Sequence, residues 1–128
     1  MNTTAHATAT VPAITSEAVD LMAALTGFHP ALDRIVSGFG ELLAADLDAD
    51  QSQSLVAALG AFDDGNLRTL LGMAVRQIAN PDTNPALADL PEDRQQTLRR
   101  LGAEHVAALD DPALAYTAAE ISAAIDGV

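Results

Sequence analysis

The chain has 128 residues, with 18 Asp and Glu against six Arg and no Lys, a formal net charge of −12 at pH 7, no Cys, no Trp and four aromatic rings. That balance argues against a DNA or RNA partner and against an anionic membrane surface, because both recruit Lys and Arg. The lack of Cys removes disulfide scaffolds, thiolate zinc sites and cysteine nucleophiles, and fits a reducing compartment.

Hydrophobic residues make up 49% of the chain, but 27 of them are Ala, so the expected core is aliphatic and thin. Few large side chains mean little stabilisation per residue, and help from a second subunit is expected.

Residues 1–15 mix Thr and Ala without charge or hydrophobic period and read as a flexible N-terminal arm. They lack the basic start and apolar stretch of a secretion signal. Residues 16–128 read as a single helical domain. Ser16 and Glu17 open a first helix with Ala18, Leu21, Met22 and Leu25 on one stripe, closing at Gly27. Pro30 opens a second, reaching about Leu47, with Leu32, Ile35, Val36, Phe39, Leu42 and Leu43 at helical spacing. Gly38 and Gly40 lower its propensity by roughly 1 kcal/mol each relative to Ala, which points either to a close backbone approach or bend, or to glycines that are merely tolerated.

Asp50, with Gln53 three residues on, is expected to cap a third helix carrying Leu55, Val56, Leu59 and Phe62 inward. After a turn at residues 63–66, Asn66 caps a fourth helix. Its Leu67, Leu70, Leu71, Ala74, Val75 and Ile78 form the expected inward face, with Arg68, Gly72 and Arg76 on the other side. Asn80-Pro81 and Asn84-Pro85 bracket the longest loop, the natural hinge if two subdomains exist. A fifth helix begins near Pro91 with Leu98, Leu101, His105 and Leu109 inward. A sixth begins at Asp111-Pro112 with Leu114, Ala118, Ile121 and Ile125 inward, ending at Gly127. No segment alternates like a strand. The expected fold is all-α, a compact bundle of five to six short amphipathic helices. No run approaches the ~18 apolar residues of a membrane span, so a soluble cytoplasmic protein is expected.

Asp46, Asp48 and Asp50 have the spacing of the first ligands of a calcium loop. The sixth loop position is Gln51 where Gly is needed, and the twelfth is Ala57 where a bidentate Glu belongs. The segment therefore reads as an acidic turn in which Asp48 or Asp50 caps the next helix, and no metal is expected. His105 shares a stripe with Leu98, Leu101 and Leu109, so partial burial is expected, either as a satisfied core residue or as a ligand or pH-sensitive contact. His6 and His29 do not assemble with it. Ser37-Gly38-Phe39-Gly40 sits in a helical pattern with no following basic anchor and is not a phosphate loop. No nucleophile and base pair stands out, and neither catalysis nor a cofactor is expected.

Residues 1–67 carry nine acids and one Arg, whereas residues 68–128 carry nine acids and five Arg: Arg68, Arg76, Arg94, Arg99 and Arg100. The expected function is a non-catalytic acidic helical protein-interaction module, an adaptor or small regulator acting as a homodimer. Asp46, Asp48, Asp50, Asp63 and Asp64 offer an acidic surface to a basic protein partner. Two alternatives are a bundle holding a small apolar or cationic ligand near His105, Phe39, Phe62 and Tyr116, and an acidic nucleic-acid mimic occupying a basic protein.

Overall fold

The computed structural model describes residues 14–126, so most of the expected arm and the Gly127 stop lie outside the described residues. The fold is all-α. Among the described residues six α-helices follow one another: α1 (Ser16–Ala24), α2 (Pro30–Leu43), α3 (Ala49–Gly60), α4 (Leu67–Ala79), α5 (Glu92–Leu109) and α6 (Pro112–Asp126), with a 3-10 turn at Pro85–Leu87.

The starts follow the capping chemistry. Thr15 Oγ1 accepts from the Ala18 N–H at 3.2 Å, so the first cap is Thr15 rather than Ser16. His29 Nδ1 accepts from the Ala31 N–H at 2.9 Å, with Pro30 as the first helical residue. Asp48, not Asp50, caps α3: its Oδ1 accepts from the Gln51 N–H at 2.8 Å while Gln51 Oε1 accepts from the Asp48 N–H at 3.0 Å. Asp48 and Asp50 each have Gln three residues on, and the earlier box wins because it lets the helix begin half a turn sooner. Asn66 Oδ1 accepts from both the Arg68 and Thr69 N–H groups at the start of α4.

The chain divides into two compact units, Met1–Leu47 and Asp48–Val128. The boundary lies at Leu47, not in the Asn80–Pro85 loop. That loop is pinned at both ends. Thr83 Oγ1 donates to the Gln77 carbonyl and Asn84 Nδ2 to the Ile78 carbonyl, both at 2.7 Å, satisfying the orphan carbonyls that end α4. Gln95 Nε2 donates to the Ala88 and Leu90 carbonyls at 2.9 and 2.8 Å, tying the same loop to α5. A segment held at this many points is an internal connection.

In the first unit, Gly27 at φ 99° turns the chain between α1 and α2, and its N–H donates to Asp33 Oδ1 at 2.9 Å. Val36, 8% exposed, is the one buried large apolar side chain among the described residues. Gly38 has nothing within 4 Å of an added Cβ, and Gly40 would meet only Met22 Sδ at 3.5 Å. These glycines are tolerated rather than required by a close approach.

In the second unit α3 packs on α6 and α4 on α5, with a smaller contact between α3 and α4. The contacts run through small residues. A Cβ at Gly72 would lie 3.3 Å from Leu109 Cδ1 and 3.4 Å from the Val106 Cα, and one at Gly102 would lie 3.1 Å from Arg76 Cγ. Helices α4 and α5 thus run antiparallel, each offering a glycine to the other's backbone. At the α3–α6 crossing, a Cβ at Gly60 would lie 3.2 Å from Ala118 Cβ, and Ser122 Oγ reaches the Gln53 carbonyl at 3.4 Å. Close backbone approach brings many atoms into dispersion contact without large side chains, which suits an Ala-rich chain.

Candidate interaction surface

The small-residue crossings decide which faces of the helices are left open. On α4 the face against α5 is Arg68, Gly72 and Arg76, spaced by four, the side expected to face outward. The expected inward face points away from α5. Leu70 is 59% exposed, Leu71 56% and Ile78 68%, and Val75 is exposed as well. The inversion has a physical cause: a glycine centred between two arginine stems lets the backbones come together, while the stems lie along the crossing with their heads at its edges.

Helices α5 and α6 depart from expectation only in part: Leu98, Leu109, Ala118 and Ile125 are half-buried as expected, and the other expected inward residues are not. Gly102 is buried, with Leu98, Arg99, Val106 and Leu109 half-buried beside it, whereas Leu101 is exposed. His105 is exposed too, correcting the expected partial burial: the contact stripe follows Gly102, and His105 lies to one side of it. On α6, Ala115, Ala118, Ser122 and Ile125 are half-buried while Leu114 and Ile121 are exposed.

The arginines serve the fold. Arg68 Nε donates to the Leu109 carbonyl at 2.7 Å, placing a cation at the C-terminus of α5, which has no basic residue in its own last turn. Arg99 forms a two-pronged pair with Asp82, Nε to Oδ2 at 3.1 Å and Nη2 to Oδ1 at 3.0 Å, with Glu92 Oε1 3.4 Å from Nη1. Arg100 pairs with Glu104 one turn on at 3.2 Å. This chemistry uses much of the positive charge of the C-terminal half within α4, α5 and their loop.

The hydrogen bonds and charge of Arg99 hold the Asp82 carboxyl below its ordinary value, and Asp82 raises Arg99 in return. The folded Asp82 therefore binds protons less readily than the unfolded one. Its contribution is full above the unfolded Asp value of about 3.9 and is lost as pH falls through the lower folded value. Asp82→Asn is expected to lower the melting temperature at pH 7, with the gap to the native chain closing as pH falls through the carboxylate range. A gap that persists unchanged to pH 3 would show that the pair does not anchor the loop.

The acidic candidates do not form a cation cage. Asp48 is committed to its capping box, Asp50 lies exposed in the first turn of α3, and Asp46 is exposed in the first unit. Asp63 and Asp64 are exposed in the turn before α4. Among the described residues no three His, Cys, Asp or Glu side chains are grouped to hold a metal.

Among the described residues, clefts open in both units. One of about 300 Å³ lies between α1 and α2 and is lined only by apolar side chains, among them Leu21, Met22, Leu25, Val36 and Phe39. A second, at the α3–α6 crossing, has Gln53, Phe62, Asp63, Ser122 and Asp126 in its wall. A third, of mixed lining, lies where Met73, Arg76, Asn80, Thr83 and Arg99 meet. Phe39 and Phe62 thus belong to different clefts, and neither His105 nor Tyr116 lines any of the three. No helix among the described residues is long and apolar enough to cross a membrane.

The open face of α4 was legible as an amphipathic stripe but not as an exterior one. The signal that could have found it is the Arg68, Gly72, Arg76 spacing, a narrow groove framed by two long stems. The chain matches no family model, no curated protein and no solved structure.

Proposed function

We propose that the chain is a non-catalytic helical protein-interaction module, an adaptor or small regulator whose working surface is the outer face of α4. One observation carries this reading: Leu70, Leu71 and Ile78, spaced to bury together, are all more than half exposed. A chain that packs its helices through Gly and Ala leaves its larger side chains for another surface, and apolar contact of this kind drives most protein association.

The acidic exterior keeps such a surface soluble and deters unspecific contacts among like-charged molecules. Immobilised native chain and a Leu70→Ser, Leu71→Ser variant, exposed to the native cytosol at low and high salt, test the reading by quantitative mass spectrometry. Proteins retained by the native chain at both salts and lost with the variant are expected. Equal retention by both would contradict it.

A second reading, a small apolar ligand held in the first unit, is favoured by the groove between α1 and α2, whose lining carries no polar side chain. Native mass spectrometry of the purified chain decides it: a retained mass that is lost on Phe39→Asp supports a ligand, and a bare chain argues against one.

A further inference from the structure

The outer face of α4 fits one occupant better than any other. Resting on the interaction-module reading above, we infer that it is covered by a second copy of the same chain, the two α4 helices packing antiparallel about a two-fold axis.

Charge argues for this first. Helix α4 is the only described α-helix without Asp or Glu: α1 has Glu17 and Asp20, α2 Asp33 and Glu41, α3 Asp50, α5 Glu92, Asp93 and Glu104, and α6 Glu120 and Asp126. Its charged residues, Arg68 and Arg76, lie on the opposite side against α5. Two copies of a chain of net charge −12 repel, and an isologous contact sets each patch against itself. The α4 face is where they meet without opposing carboxylates. A basic partner would seek carboxylates, and this stripe carries none.

Pattern argues for it next. Leu67, Leu71, Ala74 and Ile78 are spaced by four, three and four, the interval of helix-on-helix seams. That spacing reads the same in both directions. Antiparallel pairing about the midpoint of Leu71 and Ala74 therefore sets the half-buried Leu67 opposite Ile78 at the ends and Leu71 opposite Ala74, large against small, at the centre. Leu70 and Val75 flank the seam, and antiparallel helices also oppose their dipoles.

Area is the third argument. From the exposures of Leu70, Leu71, Val75 and Ile78 the stripe amounts to roughly 400 Å², within the roughly 300–600 Å² that monomers leave as their largest patch. A standard interface takes about 800 Å² from each partner, with an apolar centre and a polar rim. The stripe supplies that centre.

Sedimentation equilibrium of the full chain tests the inference, run from about 1 to about 100 μM at low and near-physiological salt. The native chain is expected to dimerise, more tightly as salt screens the like charges. Leu71→Asp, an exposed position, is expected to keep its helical circular dichroism and weaken the dimer roughly a hundredfold or more. Leu71→Lys is expected to do the same, and an equimolar mixture of the two variants to recover the dimer, since both side chains flank the axis.

A dimer that survives both substitutions, or one that salt dissociates, would overturn the assignment. A native chain that stays monomeric while Leu71→Asp still abolishes retention of cytosolic proteins removes the second copy and leaves the interaction module standing. A monomer whose retention is unchanged by Leu71→Asp removes both.

Discussion

Gly72→Leu is expected to lower the stability of the Asp48–Val128 unit by about 2 kcal/mol. The side chain would enter a crossing where even its Cβ lies 3.3 Å from Leu109 Cδ1 and 3.4 Å from the backbone of Val106. Overpacking of this kind costs roughly 1–3 kcal/mol, and the ~1 kcal/mol gained in helix propensity offsets only part, because the strain extends over the whole side chain. Helix α5 has to move, and with it Gly102 loses its seat on Arg76.

The informative comparison is Leu71→Gln, one residue away. On sequence pattern Leu71 is a core residue and Gly72 a surface one, so the larger loss would fall on Leu71. In the folded chain Leu71 is 56% exposed, and a surface substitution usually stays within about 0.5 kcal/mol at concentrations where chains are monomeric. Urea unfolding at high dilution separates the two orientations of α4: a large midpoint shift for Gly72→Leu beside a small one for Leu71→Gln is expected, and the reverse order would place the Leu face inside.

Arg68→Met carries the second large effect, a loss of about 1.5–2 kcal/mol. The change keeps an apolar stem but removes the 2.7 Å bond from Nε to the Leu109 carbonyl. A carbonyl in the last turn of a helix has no partner within the helix, and α5 brings no basic side chain of its own to that end. The loss combines a charge-assisted hydrogen bond with the attraction of a cation to the negative end of the dipole. Hydrogen exchange is expected to accelerate in the last turn of α5 and the first of α6. Arg94→Met, exposed on α5, is expected to change neither stability nor exchange. Equal effects from the two substitutions would deny Arg68 its place at the helix end.

Element positions were legible in the sequence because punctuation fixes them locally. Pro30 and Pro112 at helix starts, Asn66 before Leu67 and Gly27 after Leu25 each act through their own backbone, so α1 to α6 fall within a few residues of expectation. The shift from Asp50 to Asp48 at the start of α3 arose between two overlapping capping boxes, a choice that local chemistry leaves nearly even.

The helix faces were legible only in part: Val36, Leu55, Val56, Leu98 and Leu109 face inward as expected, while the face of α4 does not. Periodicity identifies the stripe with the largest side chains and equates it with the interior, as is correct when apolar bulk does the packing. Here Gly60, Gly72 and Gly102 allow the backbones to approach, so the contact faces follow the glycines, and Leu70, Leu71, Leu101, His105 and Ile121 turn outward. Long-range ion pairing was equally hidden: Asp82 and Arg99 are 17 residues apart, and only the fold of the intervening loop brings them together. Asp63 and Asp64 take the turn expected of them and Asp48 a cap, since those roles depend on neighbours in sequence, whereas Asp50, expected to cap α3, lies inside its first turn.

The chain's lack of cysteine makes the contact between copies directly testable. Ala74→Cys places one thiol within a turn of the proposed two-fold axis, and Ala107→Cys places one on an exposed part of α5 as a control. A disulfide forms only where Cα atoms approach to about 4.4–6.8 Å. Under mild oxidation at micromolar concentration, Ala74→Cys is expected to give a covalent dimer of native helicity in high yield, with little from Ala107→Cys. A monomeric Ala74→Cys, or equal cross-linking at both sites, would contradict an α4 face that closes on a second copy.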